Sequence, residues 1–526
     1  MNKFCLFSLV NIDNFMPIPL VNSIASWFLK KRIHQIELFL KYPFEVQNEL
    51  LLNLVNEAKN TEIGLKYDFN SVKSYHEFAS RVPISSYESY HKLIDRSRKG
   101  EQNIFWPRSI KWFAKSSGTT NAKSKFIPVS NASLEDCHYA ASKDLLCIYL
   151  NNNPESELFN GKNLRLGGSK ELYQENGTVF GDLSAILIDN MPFWAEFSST
   201  PGNKISLMSN WESKVSAIIE ETKNENVTSL AGVPSWMLNL LNEVIIKTGK
   251  NSISEVWPNL EVYFHGGVNF MPYAGEYNKL IPKKDFKYYE IYNASEGFFA
   301  IQDQNYSDEL MLMLDYGIYY EFIPMKNYGT KDQKIIPLNE VVRNENYAIV
   351  ITSNAGLWRY VIGDTVRFTS TNPYKIKITG RTKHFINAFG EELIIENCDK
   401  AIKIVSKKTG CEIRDYTVAP IFMKGKAKGR HEWLIEFKSK PLCLSYFSEL
   451  LDNALKSLNS DYEAKRYNNT TLEMPKIILA RSGLFNYWLK KKGKLGGQHK
   501  IPRLSNSREF IESLLKLNKL DIKKLL

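Results

Sequence analysis

Four short segments of the chain combine hydroxyls, carboxylates, glycine and cations in patterns suited to holding a nucleotide. The first is Lys115-Ser116-Ser117-Gly118-Thr119-Thr120-Asn121-Ala122-Lys123-Ser124-Lys125, directly ahead of the apolar run Phe126–Val129. Five hydroxyls, one glycine and three lysines in eleven residues can wrap an anion. Glycine lets backbone N–H groups approach, hydroxyls donate hydrogen bonds, and ammonium groups offset phosphate charge. The Walker pattern of glycine, four residues and Gly-Lys-Ser/Thr is absent, and on its own such a cluster reads first as a plain polar turn.

The second segment, Tyr289-Glu290-Ile291-Tyr292-Asn293-Ala294-Ser295-Glu296-Gly297, is an apolar strand ending in a ring, a turn, a hydroxyl and a carboxylate. At a strand's C-terminal end this order can stack a base on Tyr292 and place Glu296 on a magnesium ion; alone, it equally describes a strand end with a capping Ser295. In the third, Gly356 to Val366, Asp364 follows Gly363 and can accept from both hydroxyls of a ribose, or simply occupy a Gly-Asp turn. The fourth, Gly380 to Leu393, carries Arg381, Lys383 and Gly390-Glu391-Glu392. Arg381 can reach a nucleotide in a cleft between domains, or the segment can be a solvated linker.

The elements around these segments indicate how they are positioned. Apolar residues recur at three and four from Ile24 to about Lys59, with a break near Pro43, which predicts helices. Tyr75–Arg98 predicts two short helices split by Pro83. Beyond them, the runs Phe126–Val129, Ala185–Ile188, Val262–Phe264, Tyr288–Tyr292, Ala348–Thr352 and Lys375–Thr379 read as strands. The windows Ser133–Leu150, Trp211–Lys223 and Ser235–Lys247 read as helices between them. Strands interleaved with helices predict an α/β fold whose layered sheets are mostly buried. After Gly380 the texture changes to a helix over Leu393–Val405, strands over Tyr416–Phe422 and Glu432–Phe437 with an exposed loop at Lys424–Arg430 between them, and a helix over Leu442–Leu458. That predicts a smaller α+β domain over 383–526 following a large domain over 1–382, with residues 1–15 read as a tail outside the fold.

Composition narrows the function classes. The 526 residues are 43% hydrophobic, enough for a large core, and 24% charged. The net charge of +11 is spread along the chain instead of forming one basic stripe, which speaks against a nucleic-acid binder. Six well-separated cysteines with no CxxC pair argue against a disulfide framework or a zinc site and fit a reducing cytoplasm. No apolar stretch is long enough to predict a membrane span, and the N-terminus lacks a clean secretory signal.

The four segments, in this order, resemble those of the acyl-acid amido synthetases of plant auxin and jasmonate conjugation, a branch of the acyl-adenylate-forming superfamily that includes firefly luciferase. Ser116–Thr119 is similar to the family's Ser-Ser-Gly-Thr phosphate loop, Tyr292–Glu296 to its Tyr-x-x-Ser-Glu segment and Arg359–Asp364 to its Arg-Tyr-x-x-Gly-Asp segment. Ala231-Gly232-Val233-Pro234-Ser235-Trp236, His265-Gly266-Gly267-Val268 and the Gly380–Glu392 hinge-like stretch extend the likeness from about Met16 to the C-terminus.

The resemblance implies a large adenylate-forming domain with a hinged C-terminal domain, using ATP and Mg²⁺. It implies that Ser116, Ser117, Gly118, Thr119 and Thr120 hold the β- and γ-phosphates, that Tyr292 faces adenine, and that Gly267, Asn293 and Ala294 lie along the nucleotide. Ser295 would approach the α-phosphate, Glu296 would bind magnesium, Asp364 would hold the ribose with support from Arg381, and Lys383 would sit at the hinge. Lys500, in Gln498-His499-Lys500-Ile501-Pro502-Arg503, would be the lysine entering the cleft, with Lys494 as the alternative. Phe193, Trp194 and Trp236 are candidates for lining the acyl pocket and are equally suited to the core. His265, near that pocket, is expected to be a hydrogen-bonded structural histidine.

One departure stands out. The plant loop has a Gly-Gly pair where this chain has Asn121-Ala122. Alanine tolerates positive φ poorly, so this half of the loop is expected to take another path. The implied function is a ligase that activates a small carboxylic acid as acyl-AMP and passes the acyl group to an amino-acid amine, in a protein expected to be monomeric. The alternatives are an acyl-CoA ligase using the same first step and a catalytically silent ATP-binding relative.

Overall fold

The computed structural model describes residues 32–107, 109–117, 124–167, 173–175, 177–208, 210–382, 385–425, 427–469, 471–491 and 502–519. Among them a twelve-stranded mixed sheet organises the large domain. From one edge, Ser199–Thr200, Lys162–Leu166, Val227–Gly232, Val262–Gly266 and Lys287–Ala294 lie parallel to their neighbours. The sheet then continues antiparallel through Gly297–Ile301, Leu310–Leu312, Tyr374–Arg381, Tyr360–Thr371, Asn346–Ser353, Ile318–Pro324 and Ile336–Pro337. The parallel strands need crossovers, and the helices Trp211–Thr222 and Pro234–Thr248 supply two of them.

The N-terminal helices follow the sequence punctuation. Ile33–Lys41 ends at Tyr42 and Pro43 opens the next helix, Pro43–Ala58, at a position where its missing N–H costs nothing. Pro83 separates Tyr75–Arg81 from Tyr87–Arg98, and Ser86 and Ser89 form a reciprocal cap on the latter. The expected strands at Phe126, Val262, Tyr288, Ala348 and Lys375 are strands, and the three helical windows are helices. Ser133–Tyr139 is a wider π-type turn leading into Ala140–Asn152.

One expectation is corrected. Ala185–Ile188 is not a strand but part of the helix Leu183–Asp189. A four-residue apolar run has no decisive period; here Ala185, Ile186 and Ile188 are buried while Leu183 and Leu187 line a cavity. In the same way Leu393–Ile394 is a short strand paired with Phe385–Ile386, and the helix starts at Ile395.

The smaller domain is built on Glu412–Ile421 and Arg430–Ser439, an antiparallel pair joined by Lys476–Leu479. Alternation sets its two faces: Tyr416, Val418, Trp433 and Ile435 pack towards the helices Ile395–Thr409 and Leu444–Leu458. Ala419 and Leu434 pack towards Leu484–Lys491 and Glu509–Asn518. The two domains touch directly. Asn387 Nδ2 donates to Gly267 O at 3.2 Å, Ser235 Oγ to Phe389 O at 3.2 Å and Gly425 N to Glu276 Oε2 at 3.0 Å. No helix among the described residues is long and apolar enough to cross a membrane.

Candidate active site

The carboxylate of Asp364 is fixed by strand register. Asp364 and Arg381 are directly paired on the antiparallel strands Tyr360–Thr371 and Tyr374–Arg381, and Arg381 Nε donates to Asp364 Oδ1 at 2.8 Å. Tyr292, from the Lys287–Ala294 strand, donates its hydroxyl to the other oxygen, Oδ2, at 2.7 Å. Arg381 also faces Glu392, Nη1 to Oε2 at 3.4 Å. Burial works against the Arg381 charge, but Glu392, Asp364 and Glu296 outweigh it and hold the guanidinium protonated. The Tyr292 hydroxyl is pushed well up by burial and by the Asp364 charge. Its ring is 5% exposed and packs on Phe299 at 4.8 Å, so the group it offers in this structure is the hydroxyl.

Glu296 follows at the turn between Lys287–Ala294 and Gly297–Ile301. Burial raises its carboxyl to about 7, with Lys125 and Arg381 opposing and Asp364 reinforcing the shift. Lys125 comes from Ser124–Val129, which pairs with Trp112–Ser117, Ser117 opposite Ser124. The two ends of the Ser/Thr-rich loop therefore sit beside this carboxylate. Ser116 is on the first of these strands. Gly118, Thr119, Thr120, Lys383, Lys494 and Lys500 lie outside the described residues, as do the side chains of Ser117, Phe193 and Trp194.

A cavity of about 1110 Å³ opens alongside. Gly267, Asn293, Ala294, Ser295 and Trp236 line it, as do Gly390 and Glu392 from beyond the domain junction. Asn293 Oδ1 is buried without a partner, and burial lowers the pKa of the neighbouring His138 to about 4. Gly267 has φ +84°, a conformation glycine adopts freely, and at Gly266 a Cβ would stand 2.5 Å from Ile291 O, so this edge of the cavity requires bare backbone. His265 does not line the cavity. It is buried, stacks on Phe270 at 4.2 Å, and burial takes its pKa to about 3; its Nδ1 has no partner, so it is structural through packing.

Several site residues carry no sequence signal. The helix Ser460–Arg466 of the smaller domain reaches the strands that flank the Ser/Thr-rich loop, where Ser124 Oγ donates to Ser460 Oγ at 3.0 Å. From it Lys465 places Nζ 4.0 Å from the Trp236 ring centroid. Burial lowers the Lys465 pKa and raises that of Asp461 to about 7, each partly offset by the other. Arg165, Lys214 and Asp182 line the far part of the cavity. Nothing in their spacing marks them, because parallel strands and a domain contact bring them together. Arg359, although part of the Arg-Tyr-x-x-Gly-Asp segment, turns away from the site into a buried pair with Glu321, Nη2 to Oε1 at 2.7 Å.

Models of the GH3 family N-terminal, central and C-terminal domains match residues 32–286, 311–381 and 396–509. Among curated relatives, the chain is 22% identical to the indole-3-acetic acid-amido synthetase GH3.4 of Arabidopsis thaliana, covering 94% of each chain. It is 21% identical to the 4-substituted benzoates-glutamate ligase GH3.12 of the same plant, covering 89% of this chain and 94% of that one. Among solved structures, the AtGH3.15 acyl acid amido synthetase in complex with 2,4-DB superimposes with a TM-score of 0.59 at 17% identity, over 96% and 97% of the two chains. A 2-hydroxyisobutyryl-CoA ligase does so with a TM-score of 0.52 at 14% identity, over 95% and 93%. At these identities the superpositions establish a shared fold, while the three consecutive domain models decide the family: the chain belongs to the GH3 family.

Proposed function

We propose that this protein is an ATP-dependent acyl-acid amido synthetase. It transfers AMP to a small carboxylic acid with release of pyrophosphate, then passes the acyl group to the amine of an amino acid. The observation that carries this reading is the Tyr292–Asp364–Arg381 cluster standing next to Glu296 and a large cavity shared with the smaller domain. The relatives agree with it: GH3.4 is an indole-3-acetic acid-amido synthetase and GH3.12 a ligase of 4-substituted benzoates and glutamate.

The chemistry follows from the reactants. A carboxylate repels nucleophiles, and adenylation gives it a leaving group. The protein's contribution is positioning and electrostatic stabilisation. Asp364, accepting from Tyr292 and Arg381, keeps lone pairs for the ribose hydroxyls. Ser116, Ser117, Gly118, Thr119 and Thr120 hold the β- and γ-phosphates, Gly267, Asn293 and Ala294 lie along the nucleotide, and Ser295 approaches the α-phosphate. Asn293 Oδ1, buried and unpartnered, is available to a substrate donor.

A magnesium ion fits this site: Mg²⁺ is usually held by one or two carboxylates plus substrate phosphates, and Glu296 is a half-buried carboxylate near Lys125, just after the Ser/Thr-rich loop. Bound there, Mg²⁺ would neutralise charge on the phosphate oxygens. Lys500 enters from the smaller domain, whose reorientation about Lys383 serves the two half-reactions. ATP–pyrophosphate exchange against a panel of carboxylic acids tests adenylation. Exchange stimulated by particular acids supports the reading, and ATP binding without exchange for any acid would move the protein to the silent alternative.

A further inference from the structure

The floor of the cavity is one face of the sheet, and its polarity changes across four strands. Asn163 pairs with Ser229 and Arg165 with Ala231, Ala231 pairs with Phe264, and Gly266 with Ile291. Paired residues in adjacent strands project to the same side, so these side chains share one surface, and all of them line the cavity. Towards Lys287–Ala294, next to the nucleotide residues, Phe264 and Ile291 make the floor apolar up to Asn293 at the strand end. At the opposite end it carries Asn163, Ser229 and Arg165.

Arg165 is only 8% exposed. Its Nη2 donates to the neutral Asn203 Oδ1 at 2.6 Å, Nη1 rests against Met191 Sδ, and the buried Nε has no partner. Among the described residues no carboxylate forms an ion pair with it; Glu196 attracts it from further away and instead accepts from Asn203 Nδ2 at 2.6 Å. Lys214 adds a second buried cation at this end, donating to Gly167 O at 2.9 Å, with Asp182 as its nearby negative charge. A buried guanidinium without an ionic partner is expensive to maintain in a wall that only contacts hydrocarbon. In a substrate cavity it is accounted for by a ligand that brings the missing acceptor.

We infer that Arg165 recognises the far end of the acyl substrate, and that the acids this protein activates carry a second acceptor there, a carboxylate in preference to a neutral group. This rests on the proposed amido-synthetase reading. Three strand spacings, about 14 Å, separate the Arg165 strand from Lys287–Ala294. Allowing for the length of the arginine side chain, a dicarboxylic acid of roughly eight carbons spans from the reacting end to the guanidinium.

The test compares octanedioate with octanoate in ATP–pyrophosphate exchange by the full chain. The expected result is a kcat/KM for octanedioate higher by roughly ten- to a hundredfold, the range of one charge-assisted hydrogen bond pair. Arg165→Met should bring that ratio close to one, and Arg165→Lys should restore part of it. Asn203→Ala removes the neutral partner and leaves the charge, so it should keep the preference. Octanoate preferred by the wild-type protein would overturn the inference. So would Arg165→Met lowering both rates equally with the ratio intact, since that is the effect of a purely structural residue. Equilibrium binding of the same two acids, followed by tryptophan fluorescence, separates the two proposals. Tighter octanedioate binding without exchange upholds the Arg165 assignment while the amido-synthetase reading fails, and equal or weaker binding overturns the assignment.

Discussion

Arg381 and Asp364 face one another across two antiparallel strands, with Nε 2.8 Å from Oδ1, although seventeen residues separate them in the chain. The second oxygen of Asp364 is held by Tyr292 from a strand four places away in the sheet. A carboxylate bound from both sides is fixed in direction, which is what recognition of a ribose diol requires.

Replacing Asp364 with alanine should therefore lower kcat/KM for ATP in pyrophosphate exchange by about ten- to a hundredfold or more. Arg381→Ala should act in the same direction, because it releases one side of Asp364 and removes a cation that faces Glu392. Steady-state exchange kinetics at varied ATP check both. Full activity in both variants would remove the cluster from the site.

Tyr292→Phe is a finer test. The ring and its packing on Phe299 remain, and only the hydroxyl that aims Asp364 is lost. The expected outcome is a KM for ATP raised by about three- to tenfold with kcat little changed.

Glu296 carries a pH signature. In the folded protein burial holds its carboxyl protonated up to about pH 7, whereas the same group ionises near 4.5 when free. Between these values the folded state binds the extra proton, so this group's contribution to stability falls as pH rises through the interval. Glu296→Gln should shrink the drop in Tm between about pH 4.5 and 7, with Asp461 and Glu290, shifted the same way, leaving a residual slope. A cation bound at Glu296 favours the carboxylate, so loading with magnesium and ATP near pH 6.5 should release protons. Calorimetry in buffers of different ionisation enthalpy should show that release in the wild-type protein and its loss in the glutamine variant.

Arg359 makes the opposite prediction, large for stability and indirect for chemistry. Its guanidinium pairs with Glu321, donates from Nη1 to the carbonyls of Ala79 and Val82 at 2.8 Å each, and is buried with its partner. Arg359→Met leaves Glu321 charged and buried, at a cost of about 3–5 kcal/mol, measurable by denaturant unfolding.

Lys500 and Lys494 are separated by half-reaction. Lys500→Ala should reduce pyrophosphate exchange by about a hundredfold while amide formation from a supplied acyl-AMP continues, and Lys494→Ala should leave exchange intact. The reverse result would transfer the role to Lys494.

Much of the candidate site was legible because its groups lie in local segments. Tyr292, Ser295 and Glu296 sit at one strand end, and a turn or strand end keeps neighbours in sequence close in space. Even there the reading was incomplete: Arg359, in the same segment as Asp364, serves the core, since its left-handed backbone at φ 44° turns it towards Glu321. Arg165, Lys214 and Asp182 were not legible, because the cavity they share depends on the order of parallel strands and on crossover helices. Lys465 and Asp461 reach the cavity only through the contact between the two domains, which no periodicity encodes. The helix at Leu183–Asp189 shows the same limit at a smaller scale: an apolar run shorter than two turns takes its conformation from what covers it.

The most direct test of the central claim follows oxygen. An activating acid labelled with ¹⁸O in both carboxylate positions is incubated with ATP, magnesium and mixed amino acids, and the products are weighed by mass spectrometry. The account predicts one ¹⁸O in the released AMP, one retained in an amide, and no label in pyrophosphate. Label in inorganic phosphate with ADP as the nucleotide product, or a conjugate that forms while AMP stays unlabelled, would contradict it.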